Sequence, residues 1–143
     1  MDVIALLKKD HEKIAALLDK LEDTTERAEK TRDELFRQLK DELDAHSHIE
    51  ERFFYPVLKQ ADETRDITLE GVEEHRIIKR LLGELEASAK DSEQWTAKMA
   101  VLKESVEHHV EEEEGDMFKK AAKVLDAEQR KELGEKMAAA KAA

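Results

Sequence analysis

The sequence predicts an all-α protein, an up-down-up-down four-helix bundle with a short C-terminal fifth helix. Three observations carry this expectation. Four Gly and one Pro among 143 residues, with abundant Ala, Leu, Glu and Lys, leave little material for turns or strands. Apolar residues recur at steps of three and four along four long segments, the period of a helix with one buried face. One polar pattern interrupts those stripes, and it is written twice. A chain of this length suits one domain, spanning 1–143.

The first helix is expected over Asp2 to Leu21, with Asp2 as its N-cap and a stripe of Ile4, Leu7, Ile14, Leu18 and Leu21 that skips position 11. Polar residues around Thr24 and Thr25 end it. The second, Glu29 to Gln60, carries Leu35, Leu39, Leu43, Phe53 or Phe54, and Val57, and skips 46 and 50; Pro56 is expected to kink its last turns. The third runs from about Glu63 or Arg65 to Ala87 on Leu69, Val72, Ile78, Leu82 and Leu85, skipping 75. The fourth opens near Asp91 or Ser92 and carries Trp95, Met99, Leu102, Val106 and Met117, skipping 109 and 113. Asp126-Ala127-Glu128-Gln129 is a capping pattern that starts a fifth helix through Leu133 and Met137, packed outside the bundle, with a frayed tail after Ala138.

His or Glu fills all six skipped steps. The first copy is His11 followed by His46 and Glu50; the second is His75 followed by His109 and Glu113, displaced by 63 to 64 residues. A four-residue spacing stacks His46 over Glu50, and His109 over Glu113, on one helical face. Short connections make the helices antiparallel neighbours, and bundles of this kind build cofactor sites from side chains facing their axis. Two buried carboxylates would repel each other and cost several kcal/mol to desolvate unpaired. Divalent cations remove that objection, with one metal taking both members of a pair or a carboxylate bridging two metals.

Imidazole and carboxylate together suit iron, manganese, zinc or copper. Six convergent donors are too many for one tetrahedral zinc, and the His-Glu-x-x-His signature of hydrolytic zinc is absent. The absence of cysteine excludes thiolate sites and iron-sulfur clusters. His48 points away from the core and His108 is rotated about 100° from His109, so both are read as surface or supporting groups. Of the run Glu111 to Glu114 only Glu113 is assigned inward, while Glu51 and Glu112 are candidate acceptors for ligand N–H groups.

A net charge of -11, without a dense Lys/Arg block, argues against nucleic acid as a partner. There is no signal-peptide pattern and no apolar run near about 18 residues, so a cytoplasmic protein without a membrane association is expected.

The surrounding motifs carry a further resemblance. His11 within Asp-His-Glu-Lys-Ile, His46 and Glu50 leading into Glu-Arg-Phe-Phe-Tyr-Pro, His75 in Glu-Glu-His-Arg, and His109 and Glu113 in His-His-Val-Glu-Glu-Glu-Glu-Gly-Asp-Met-Phe resemble the hemerythrin-like, or HHE cation-binding, domain over roughly residues 3 to 137. The resemblance implies a non-haem di-iron centre with two iron ions, His11, His46, His75 and His109 as terminal ligands and Glu50 and Glu113 as bridges. Its expected partners are oxygen, peroxide or nitric oxide, with peroxide-consuming or other redox activity, or sensing through a partner protein. Iron storage or buffering is the alternative.

Oxygen-carrying hemerythrins hold a further His one turn away on the third helix. Both positions where it would fall, Gly71 and Lys79, lack it here, which argues against reversible oxygen carriage; 79 is the favoured site-facing position of the two. The second motif ends in Phe118-Lys119 where the first has Tyr55-Pro56, an exchange expected to affect only the helix end.

Overall fold

In the computed structural model, which describes all 143 residues, the chain is helical with short connections. Helix α1 spans Val3–Glu22 and α2 Glu29–Ile49. A π-helical turn, Glu50–Phe54, joins α2 to α3, Tyr55–Lys59; α4 is Asp62–Ala87 and α5 Glu93–Glu112. A second π turn, Glu113–Met117, leads into α6, Phe118–Val124, and α7 is Ala127–Ala142. Asp2 caps α1 through Ala5 N, Ser92 caps α5 through Trp95 N, and Asp126 forms a full capping box with Gln129.

The core divides into two apolar clusters. One fills the end of the bundle defined by Ile14 to Leu21, Phe36 to Leu43, Ile78 to Leu85 and Trp95 to Val106. The other holds Val3, Leu7, Ile49, Phe54, Tyr55, Leu58, Met117 and Phe118, with Met137 of α7. Five of the six predicted donors fall between these clusters along their helices and Glu50 lies one residue past Ile49, so the bundle carries one polar layer between two greasy ones. At the far end Arg32, 2% exposed, donates to the Thr24 and Lys90 carbonyls and the Thr24 and Thr96 hydroxyls, and lies 4.8 Å over Trp95. The carbonyls beyond the ends of α1 and α4 thus satisfy this buried cation, at the negative ends of two helix dipoles.

Several expectations change. The second segment is not one helix kinked at Pro56; the ladder is interrupted earlier, by the π turn. The second copy makes the same turn with Lys119 in the proline's place, so proline is not its cause. On α4 the buried stripe is Thr64, Thr68, Gly71, His75, Ile78, Leu82 and Leu85, not one including Leu69, which is 40% exposed. The two threonines tolerate burial because their hydroxyls donate to the Leu58 and Thr64 carbonyls. Val57 is also exposed, and α7 stays helical to Ala142 because Lys141 near its end is held by carboxylates of α1 and α2. No helix is long and apolar enough to cross a membrane.

Candidate metal centre

The polar layer converges as the spacing predicts. His11 comes from α1, His46 and Glu50 from the α2 junction, His75 from α4, and His109 and Glu113 from the α5 junction. All six are at most 4% exposed, and the two carboxylates are fully buried. They form two donor groups, His11–His46–Glu50–Glu113 and Glu50–His75–His109–Glu113, each with its donor atoms within 4.8 Å of one another. Glu50 and Glu113 belong to both. Along the helices, His46 Nε2 lies 3.1 Å from Glu50 Oε1 and His109 Nε2 lies 3.2 Å from Glu113 Oε2. Across them, His11 Nε2 is 3.0 Å from Glu113 Oε1 and His75 Nε2 is 3.2 Å from Glu50 Oε1.

The remaining ring nitrogens explain why these Nε2 atoms face inward as donors. Each Nδ1–H donates to a carboxylate: His11 to Glu114 at 2.6 Å, His46 to Asp10 at 2.9 Å, His75 to Glu51 at 3.0 Å and His109 to Glu74 at 2.6 Å. That arrangement fixes the tautomer and aims the Nε2 lone pair at the centre. The carboxylates follow a rule: each is the sequence neighbour of one donor and serves a histidine on the next helix around the bundle. Asp10, beside His11, serves His46; Glu51, beside Glu50, serves His75; Glu74, beside His75, serves His109; Glu114, beside Glu113, serves His11. The ring closes on itself.

A cation fits this layer on the structure's own evidence. Both oxygens of Glu50 and Oε1 of Glu113 are buried without a hydrogen-bond partner. The His11 and His46 Nε2 atoms approach to 3.2 Å, and those of His75 and His109 to 3.1 Å. Orphaned carboxylate oxygens facing paired imidazole lone pairs are costly unless positive charge lies among them.

The titration behaviour says the same. Burial alone would push His46 down, but the Glu50 charge and the bond to Asp10 overcome it and take it up to about 10. Burial is likewise outweighed at His75, raised by Glu50 and Glu51, and at His109, raised chiefly by Glu113. Glu113 is held well below the carboxylate range: burial opposes, and the charge on His109 prevails. The layer demands positive charge, supplied by protons when nothing else supplies it.

Tyr55, a residue the sequence reading assigned to a helix end, reaches into the layer. Its hydroxyl donates to Glu113 Oε2 at 2.5 Å and lies 3.4 Å from both His75 Nε2 and His109 Nε2. Burial, then the charges of Glu113 and Glu50, keep the phenol protonated far above its usual range. Gly71 makes room for it: a Cβ there would stand 3.1 Å from the Tyr55 hydroxyl. Position 71 therefore faces the centre, and Lys79, the favoured candidate, is exposed. The orienting role expected of Glu112 belongs to Glu74; Glu112 instead pairs with exposed His108 at 3.2 Å. His48 is exposed, as expected.

The sequence model of the hemerythrin HHE cation binding domain matches residues 2–121. The chain belongs to this family. Among solved structures it resembles the crystal structure of a hemerythrin HHE cation binding domain-containing protein, the Rv2633c homolog from Mycobacterium kansasii. The two are 30% identical, the match covers 99% of this chain and 86% of that one, and the TM-score is 0.87. A comparison with curated proteins finds no match. In this HHE domain the buried His and Glu cluster suits a metal site, and α7 lies beyond the residues matched by the family model.

Proposed function

We propose that the HHE domain holds two iron ions, one in each donor group, bridged by Glu50 and Glu113, and that the centre reacts with or senses oxygen, peroxide or nitric oxide. The observation that carries this reading is the sharing of two buried carboxylates with orphaned oxygens between two histidine pairs. A pair of adjacent irons would supply Lewis acidity and exchangeable electrons. The protein positions it. Four histidines are locked by carboxylates, Tyr55 holds a proton against Glu113, and the apolar residues around Leu7 and Phe118 keep bulk water away.

A cleft of about 210 Å³ between α1 and α5 is lined by Ile14, Leu18, Val106 and Val110, includes His11, and carries the exposed Glu107 and Glu111. The apolar wall admits oxygen or nitric oxide, and the two glutamates favour entry of the cations that loading requires. The test is anaerobic loading of the metal-free protein with ferrous iron, elemental analysis, then rapid mixing with oxygen, peroxide or nitric oxide while the optical spectrum is recorded. Two irons per chain and a fast spectral change with one of these molecules are expected. Loading at one iron or fewer rejects the dinuclear centre, and full loading with no response to any of the three favours storage.

A further inference from the structure

The two halves of the polar layer repeat each other closely, but one of the four orienting carboxylates is held differently. Glu114, Glu51 and Glu74 have side chains 36%, 37% and 22% exposed, and none accepts a hydrogen bond from a lysine or arginine. Asp10 is 8% exposed and accepts one from Lys141 Nζ, at 2.6 Å to Oδ1, while its Oδ2 accepts from His46. Lys141 also donates to Glu42 at 2.5 Å, so a single ammonium clamps α1 to α2.

The clamp comes from the far end of the chain. Gly134, Met137 and Lys141 follow at steps of three and four along α7, which places them on one face. Gly134 lies so close to Met1, Asp2 and Val3 that a Cβ would meet backbone, and Met137 is fully buried in the cluster that holds Val3 and Leu7. These contacts set α7 on the start of α1 and carry Lys141 to Asp10, one residue from His11. Position 74, the counterpart of Asp10 in the second half, has no such lysine.

We propose that Lys141 is a positioning residue for the His11–His46 donor group. It pins both the location and the rotation of the Asp10 carboxylate, which fixes the His46 ring so that Nε2 points at the metal. The His75–His109 group lacks this control, so the last turn of α7 sets the metal affinity of one half of the centre and leaves the other half alone. The inference rests on both donor groups holding a metal.

Cobalt(II) alone is the probe, because each histidine bound to it gives a separately shifted exchangeable Nδ1–H proton resonance. Metal-free protein is titrated with cobalt in unmodified, Lys141→Met, Lys141→Arg and Lys13→Met forms. Lys13 bonds the other oxygen of Glu42 at 3.1 Å without touching Asp10, so its variant controls for a general loss of charge. Loss of an outer partner of a ligand histidine costs roughly 10- to 100-fold in metal affinity.

Lys141→Met leaves Asp10 in place, so it is expected to weaken one of two binding steps by up to roughly tenfold and to broaden or shift the His46 ring proton, with those of His75 and His109 in place. Lys141→Arg should restore the resonance in part, and Lys13→Met should change neither step. Two cobalt ions with both steps and the His46 signal unaltered in Lys141→Met overturn the inference, as does an equal effect of Lys13→Met. One cobalt per unmodified chain defeats the dinuclear reading itself, and the inequivalence of two bound ions falls with it.

Discussion

Tyr55 and Phe118 occupy equivalent places in the two halves of the bundle, 63 residues apart, and differ by one hydroxyl. Tyr55 stacks on His75, ring centres 5.3 Å apart, and Phe118 stacks on His11 at 6.0 Å with the rings nearly parallel. Only the His75–His109 half therefore offers a proton donor or an extra oxygen beside its donor group, and the His11–His46 half is lined there by hydrocarbon. Tyr55→Phe removes a hydrogen bond to a buried carboxylate, and a bond to a charged group contributes about 1.5–3 kcal/mol. The metal-free variant should be less stable by about that amount in denaturant unfolding. No change would mean that Glu113 finds another donor.

The shared carboxylates should matter most for loading. Glu50→Ala or Glu113→Ala is expected to take bound metal below one ion per chain, since each serves both groups, and His46→Ala or His109→Ala should weaken chiefly one group. His48→Ala should leave the metal content intact because the side chain is exposed. Elemental analysis after reconstitution decides it, and equal losses from the His48 and His46 changes would contradict the geometry.

Acid and base should act on the metal-free protein in a specific sense. His46 stands at about 10 in the fold, above about 6.5 for a free imidazole. A raised group contributes stability that is complete below the unfolded value and lost as pH climbs through the folded one. Chelator-treated protein should therefore lose thermal stability between about pH 6.5 and 10. Metal must displace these protons, so loading near neutral pH should release protons, measurable by calorimetry in buffers of different ionisation enthalpy. A metal-free protein that gains stability over that range would show that the histidines are neutral.

Position 71 offers a test of the space around Tyr55. Gly71→Ala puts a methyl group 3.1 Å from the hydroxyl and 3.3 Å from Met117 Cε, tight enough that one of them has to move. Overpacking of this kind costs about 1–3 kcal/mol. The optical spectrum of the loaded protein should shift with it, whereas Lys79→His, at an exposed position, should alter neither stability nor spectrum.

Much of this was legible in the sequence, because the period of a helix is rigid. Once Leu39, Leu43, His46 and Glu50 are placed on one stripe, their convergence with the other helices follows from short loops. The orienting carboxylates were legible in principle as well: Asp10-His11 parallels Glu74-His75, and Glu50-Glu51 parallels Glu113-Glu114. Glu51 was named among the acceptors, but Asp10, Glu74 and Glu114 were missed because each acts on a different helix from its neighbour, a relation periodicity does not encode. Tyr55 was hidden by the π turns, which add a residue and rotate everything after them. The phase of α4 was misjudged because Thr64 and Thr68 read as polar, yet their hydroxyls are spent on backbone carbonyls. Lys141 carried no signal, since a lysine in an alanine-rich tail looks like solubilising charge.

The ring of carboxylates bears on the order in which the chain assembles. The hairpin of α1 and α2 contains three donors of its group but takes Glu113 from the other hairpin, and α4 with α5 likewise needs Glu50. Each hairpin orients one of its own histidines, through Asp10 or Glu74, and leaves His11 or His75 to be turned by its opposite number. Neither half can close a complete coordination shell before the two halves dock. An ion that binds at full strength is therefore a reporter of finished tertiary structure, and its contribution falls on the last step of folding, leaving the speed of hairpin formation to the loops and the apolar stripes.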